Sequence, residues 1–224
     1  NGRLSNIGSD GYIERASTNL NSYFLQGAYT STNTMVKLLT FNGIEKTYMA
    51  WDYASKEQME KYGRRYNPCG EYTDADGKTR YYNNQKDNYH QQNYQLIWNQ
   101  ILGGGFNFNL GLHYTAGFGY YEQYKVGQKL AKYGFTGSKL KSDLIRRKNL
   151  RNDFVGGVYS LNYEQGRWHA SLGGAINRYS GRHFGNILSI INPTVANYPD
   201  KEYYRNKAVK SENSVYGKLN VDLL

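Results

Sequence analysis

Between residues 106 and 121 the chain alternates without a break. Phe106, Phe108, Leu110, Leu112, Tyr114, Ala116, Phe118 and Tyr120 share one parity, and Asn107, Asn109, Gly111, His113, Thr115, Gly117, Gly119 and Tyr121 share the other. Period-two alternation sends successive side chains to opposite faces of a β-strand. At about 3.4 Å per residue the run reaches ~50 Å, well past the ~17–20 Å of an ordinary globular strand. A tilted strand that crosses a bilayer needs about 9–11 residues and is free to project beyond the lipid.

The same texture recurs on both sides. Residues 89–102 set Tyr94, Leu96 and Trp98 against Asn93, Gln95 and Asn99, and Gly103-Gly104-Gly105 then forms a tight turn into 106–121. Residues 153–164 set Val155, Gly157, Tyr159, Leu161 and Tyr163 against Gly156, Ser160 and Asn162. A turn at Gln165-Gly166 leads into 167–179, where Trp168, Ala170, Leu172, Gly174 and Ile176 oppose His169, Ser171, Gly173, Ala175 and Asn177. Residues 19–30 and 34–44 form a fainter hairpin about Ser31-Thr32-Asn33. There, Val36 and Leu38 outward with Lys37 inward keeps the charge off the apolar face. Residues 213–223 end the series, with charges on one face only.

Tight turns join strands within each hairpin, whereas long polar stretches (45–88, 122–152 and 181–212) join one hairpin to the next. Structureless loops longer than about 12–15 residues are uncommon in a compact domain. Outer-membrane barrels, by contrast, place short turns on the periplasmic side and long loops outside. The expected fold is therefore all-β: an antiparallel up-and-down transmembrane β-barrel segment of about seven strands, with short periplasmic turns and long extracellular loops. Residues 1–18 fall in the outer loop region. An odd number of strands does not close an ordinary bacterial barrel, so one domain, 1–224, is expected as part of a larger barrel. The alternative is a complete small eight-stranded barrel, in which residues 1–18 supply a strand.

Composition supports strands: 24 Tyr and 25 Gly against 3 Pro. The hydrophobic fraction is 39% and the mean hydropathy −0.79. No stretch approaches the ~18 apolar residues of a membrane helix, which leaves strands as the only way to cross a bilayer. The net charge of +10 is spread over the connections, among them Lys139, Lys141, Arg146, Arg147, Lys148 and Arg151, rather than gathered on one element. That distribution argues against a nucleic-acid partner and for an anionic membrane surface, lipopolysaccharide phosphates or an anionic ligand. Cys69, the single cysteine, sits in the turn Asn67-Pro68-Cys69-Gly70 and has no internal disulfide partner. No charged and apolar leader stands at Asn1, so either a leader has been removed or the chain is an excised piece.

No Gly-rich phosphate loop, Ser/His/Asp arrangement or spaced carboxylate pair points to an enzyme. Asp74-Ala75-Asp76-Gly77 is a fragment of a calcium-loop pattern and is expected to be a plain turn. The four histidines lack metal-ligand spacing, and no metal or cofactor is expected. His113, His169 and Lys218 fall on the polar parity and are expected to face a lumen. Tyr94, Trp98, Tyr114, Tyr120, Tyr159 and Tyr163 fall on the apolar parity, as interfacial aromatic girdles do. A soluble, secreted β-rich carbohydrate-binding module would instead use these tyrosines to stack sugars.

Several stretches resemble segments of TonB-dependent outer-membrane receptors of Gram-negative cells. They are Asn1-Gly2-Arg3-Leu4-Ser5-Asn6-Ile7-Gly8-Ser9-Asp10-Gly11-Tyr12-Ile13-Glu14-Arg15-Ala16, Tyr66-Asn67-Pro68-Cys69-Gly70-Glu71-Tyr72 with the following Asp87-Asn88-Tyr89, Leu112-His113-Tyr114-Thr115 with Gly119-Tyr120-Tyr121-Glu122-Gln123-Tyr124-Lys125, and Leu172-Gly173-Gly174-Ala175-Ile176-Asn177-Arg178-Tyr179-Ser180-Gly181-Arg182-His183-Phe184-Gly185. The resemblance implies a barrel of roughly 22 strands around a plug, of which this chain is a stretch of wall without the plug domain. It implies import of a scarce solute: an iron chelate first, with haem, cobalamin or a glycan as alternatives. The implied partners are the plug of the same protein, TonB indirectly through that plug, outer-membrane lipid and lipopolysaccharide. Tyr121 and Tyr124, and Asn177, Tyr179, Arg182 and His183, stand where strands run into loops. They are the candidate ligand contacts, against the plainer expectation of loop packing.

Overall fold

The computed structural model describes residues 1–135, 141–191 and 201–223. In chain order these form β1 (Gly2–Ser9), β2 (Ser17–Thr30), β3 (Thr34–Tyr48), helix α1 (Lys56–Tyr62), β4 (Glu71–Thr73), β5 (Thr79–Tyr81), β6 (Lys86–Gly103), β7 (Phe106–Lys129), β8 (Lys141–Gln165), β9 (Trp168–Ile190) and β10 (Lys201–Val221). Eight strands make one sheet in the order β1-β2-β3-β6-β7-β8-β9-β10, and β4 pairs with β5 in a small separate hairpin. Every pairing is antiparallel. The fold is all-β and runs up and down, as the alternation predicts.

Two expectations are corrected. The segment 1–18 is not a loop, because β1 pairs along its whole length with β2, from Gly2↔Leu25 to Ser9↔Thr18. Eight long strands therefore stand where the sequence pattern gives seven. The alternation was hidden because β1 is an edge strand exposed on both faces, with Leu4 85% exposed. The eighth strand does not complete a small barrel, since among the described residues β1 and β10 share no ladder and the sheet keeps two open edges.

The long loops, too, are mostly strand. β7 runs on to Lys129, β8 begins at Lys141, β9 reaches Ile190 and β10 starts at Lys201. What remains of 45–88 is the stretch between β3 and β6, which holds α1 and the β4–β5 hairpin. The opposite ends of the strands carry the short turns. The one between β6 and β7 uses Gly103, Gly104 and Gly105 at φ 85°, 57° and 83°, where any Cβ is strained.

Register divides the sheet into two faces. One cross-strand row joins Leu96, Leu112, Gly157, Ile176 and Asn213, and the next toward the turns joins Trp98, Leu110, Tyr159, Gly174 and Val215. This face is apolar yet exposed, with Leu172 at 57% and Ile176 at 60%. The other face carries Asn93, Gln95, His113, Thr115, Phe154, Asn177 and Tyr179, tied by polar contacts such as His113 Nε2 to Asn177 Oδ1 at 3.0 Å and Thr115 Oγ1 donating to Asn93 Oδ1 at 2.8 Å.

The upper limit of the apolar band moves stepwise. On β8 the apolar run ends at Val155, level with Tyr114. On β9 it ends one row lower at Ile176, where Arg178 follows, and on β10 one row lower again at Val215, where Asn213 follows.

Candidate ligand-binding site

The loop ends of the strands are built on both sides. On the apolar-parity side the β4–β5 hairpin folds down onto β7. Tyr72 stacks on Tyr124 with ring centroids 4.3 Å apart, and the Tyr124 hydroxyl donates to Asp143 Oδ2 at 2.9 Å. Glu122, 3% exposed, accepts hydrogen bonds from the Tyr82 hydroxyl and from Asn84 Nδ2 (2.7 Å), and from Arg147 Nε (3.1 Å) and Nη2 (2.8 Å). On the polar-parity side a 3-10 turn, Leu130–Tyr133, buries Leu130 and Tyr133 against Leu144, Ile187 and Ile190. Trp51 meets Tyr121 edge-on there, at 5.0 Å.

Between these supports the polar face holds a cleft of about 370 Å³. Glu45 and Asp87 line one wall, from β3 and β6. Lys148 and His183 line the other, from β8 and β9, with Tyr89, Tyr121 and Tyr204 between and above them. The Lys148 ammonium lies 5.7 Å from the centre of the Tyr121 ring. Carboxylates face an ammonium and an imidazole across an aromatic floor, an arrangement that can orient a polar, conjugated or chelated solute by polar groups at two ends and stacking between. A larger hollow of about 710 Å³ lies on the opposite face, lined by Leu25, Leu38, Leu96, Leu112, Tyr114 and Val155. Its exposed lining is almost wholly apolar and offers little to orient a polar ligand.

The sequence-predicted contacts separate accordingly. Tyr121 and His183 line the cleft. Asn177 and Tyr179 line a second hollow of about 270 Å³ with Phe154, Lys210 and Glu212, nearer the turns. Tyr124 lies on the other face, buried beneath Tyr72, so its role is to hold the β4–β5 hairpin. Arg182 also projects from the apolar-parity face, opposite Arg151, and points away from the cleft. Of the polar-face residues, His113 bonds Asn177. His169 lies at the turn end between Glu164 (3.4 Å) and Asp222 (3.2 Å), and Lys218 stands opposite Ser171. Lys139, named with the basic connection, lies outside the described residues. Glu45, Asp87, Tyr89 and Tyr204 escape the sequence pattern because all but Tyr89 lie in stretches whose sequence reads as loop. Extending the period-two parity of β6 and β7 upward would have found Asp87.

Asp74 is engaged as a turn residue. Its Oδ1 accepts from the Asp76 and Lys78 amides and its Oδ2 from Arg80 Nε at 2.8 Å, and the Arg80 guanidinium holds its carboxyl below the usual range. Cys69 is fully buried, with its Sγ accepting from the Asp52 amide at 3.3 Å, and burial pushes its thiol up to about 11. A thiol-specific reagent at pH 7 is therefore expected to label it at least about a hundredfold more slowly than an exposed cysteine. The linkage has a sign: the raised value favours the folded loop fully below about pH 8.5. That contribution fades as pH rises toward about 11. Labelling across pH 7–11 checks both statements, and uniform fast labelling at pH 7 would contradict them.

An open, antiparallel, up-and-down sheet of long strands with an exposed apolar band on one face is barrel-like architecture. No family model matches the chain, and no curated protein does. Among solved structures it is similar to BauA, the ferric preacinetobactin receptor of Acinetobacter baumannii, at 9% identity and a TM-score of 0.59, over 99% of this chain and 34% of that one. The likeness is one of fold, and the chain spans about a third of that receptor's length.

Proposed function

We propose that this chain is a stretch of the wall of a TonB-dependent receptor in the Gram-negative outer membrane, and that the receptor imports a scarce solute, with an iron chelate the favoured class. One observation carries the reading: an exposed apolar band crosses one face of the sheet, while polar, hydrogen-bonded residues fill the opposite face. Lipid covers the first face. The plug of the same protein covers the second, and TonB acts on that plug. The cleft at Tyr121, Lys148 and His183 forms part of the outer ligand surface. The likeness to a ferric siderophore receptor supports the fold and gives the ligand class its weight. The wall's work is to seal, orient and bind rather than to catalyse.

Two measurements test this. The protein should stay with the membrane through alkaline carbonate extraction, and release into plain buffer would end the proposal. Tyr121→Ala and Lys148→Ala in the whole receptor should weaken chelate binding about tenfold each while leaving the folded fraction unchanged. Unchanged affinity in both would remove the cleft from the ligand surface.

A further inference from the structure

Above the apolar band, on the same face, the cross-strand register produces an unfavourable row. Arg151 on β8 stands directly opposite Arg182 on β9, and Arg182 stands directly opposite Lys207 on β10. Arg178 sits two rows closer to the band, with Ser180 between it and Arg182, opposite Val155 and next after Ile176 on that face of its strand. Like charges placed directly opposite on adjacent strands destabilise a sheet. The carboxylate nearest in register is Asp153, opposite Ser180, and its Oδ1 is taken by the Tyr114 hydroxyl at 2.7 Å. Among the described residues no salt bridge engages Arg151, Arg178, Arg182 or Lys207, whereas the neighbouring Arg147 and Arg205 are paired with Glu122 and Glu202. Four cations thus gather around one carboxylate at the upper rim of an apolar surface.

We infer that this rank is a binding site for the phosphates of an anionic lipid of the outer leaflet, whose acyl chains lie on the apolar band below. The inference rests on the proposed membrane reading, since it takes that band as lipid-covered. Guanidinium groups bind phosphate oxygens in paired fashion. An anion placed between Arg151 and Arg182 also turns the cross-strand repulsion into attraction. Adjacent strands lie about 4.8 Å apart, and alternate residues of one strand lie about 6.8 Å apart. Arg178 and Arg182, four residues apart on β9, are therefore about 14 Å apart, and with Arg151 beside Arg182 the patch suits two separated phosphates on one headgroup better than one. The position of the patch selects lipid over a soluble anion: it faces away from the ligand cleft and meets the level at which the apolar surface stops.

The test uses the full-length protein in detergent, titrated with a bisphosphorylated glycolipid, with the same lipid after phosphate removal, and with inorganic phosphate, and read by native mass spectrometry. The wild type should bind the bisphosphorylated lipid at least about tenfold more tightly than the dephosphorylated one. Inorganic phosphate at equal concentration should not displace it. The double variant R151Q/R182Q should lose that preference, R151K/R182K should keep most of it, and R205Q should behave as wild type. Equal affinity of the wild type for both lipids overturns the site whether or not the variants fold. Displacement by inorganic phosphate overturns lipid as the source of the anion. If the wild type is monodisperse without detergent, the membrane reading fails and takes this site with it. If it needs detergent and R151Q/R182Q still prefers the phosphorylated lipid, this site alone fails.

Discussion

Leu112→Arg is expected to abolish stable folding into lipid. Leu112 lies in the middle of the apolar band on β7, opposite Leu96 and Gly157, and is 45% exposed. In water such a position tolerates a charge, since substitutions at exposed sites change stability by about 0.5 kcal/mol or less. In the middle of a bilayer an arginine on a barrel's lipid face costs about 2–4 kcal/mol, or roughly a 30- to 1000-fold loss in the folded-to-unfolded ratio. The paired control is one residue away. His113 is on the polar face against Asn177, and His113→Gln keeps a side chain able to bond there, so its effect should be small. Refolding from urea into phosphatidylcholine vesicles, followed by tryptophan fluorescence and heat-dependent gel mobility, measures both. A Leu112→Arg protein as stable as the parent would favour the soluble carbohydrate-binding module over a membrane wall.

That contrast between neighbours also shows why part of this fold could be read from sequence and part could not. Alternation is legible where one face is apolar and the other polar, as from Phe106 to Phe118. It fades where both faces meet the same environment. Above the band on β7, Glu122, Gln123 and Tyr124 are all buried, because the β4–β5 hairpin covers one face and the 3-10 turn and its neighbours lie over the other. The sequence there is polar and aromatic on both parities and reads as loop. On β10 the reason is the reverse: as an edge strand it is exposed along nearly its whole length, and the stretch from Lys201 to Glu212 carries polar residues on both sides. The candidate site suffered most from this loss. His183 and Tyr121 were found because they flank recognisable strands, but the face a residue takes depends on the strand continuing. Without the extension of β8 and β9, nothing in the sequence separates His183, on the cleft side, from Arg182, on the outer side.

Glu122→Ala is expected to release the whole connection between β3 and β6 while leaving the sheet in place. Its carboxylate is the shared acceptor for Tyr82, Asn84 and Arg147, and its side chain is 4% exposed. Removal leaves a guanidinium without its counter-charge and strands two further donors. Breaking one partner of a buried pair costs about 3–5 kcal/mol. The partial exposure of Arg147, at 33%, places this case near the lower end, about 3 kcal/mol. Little of that cost falls on β7, which keeps ladders to β6 and β8 on both sides. It falls on the hairpin, which is also held by the Tyr72–Tyr124 stack, by the Gln85 side chain accepting from the Tyr124 amide at 2.9 Å, by Tyr48 donating to the Tyr82 carbonyl at 3.0 Å, and by the Arg15 guanidinium over the Tyr81 ring at 3.4 Å. Cys69 is buried within the same connection, so its labelling rate reports the opening. A loss of about 3 kcal/mol in local stability raises that rate by about a hundredfold. The pH at which labelling accelerates should also fall from near 11 toward the ~8.5 of a free thiol. Glu122→Gln keeps one acceptor oxygen, which Tyr82 and Asn84 can share, but loses the charge and the second oxygen facing Arg147, and should lie between the two. If Cys69 in Glu122→Ala stays as slow as in the parent, the hairpin is held mainly by its tyrosine packing, and the Glu122 carboxylate is not what closes it.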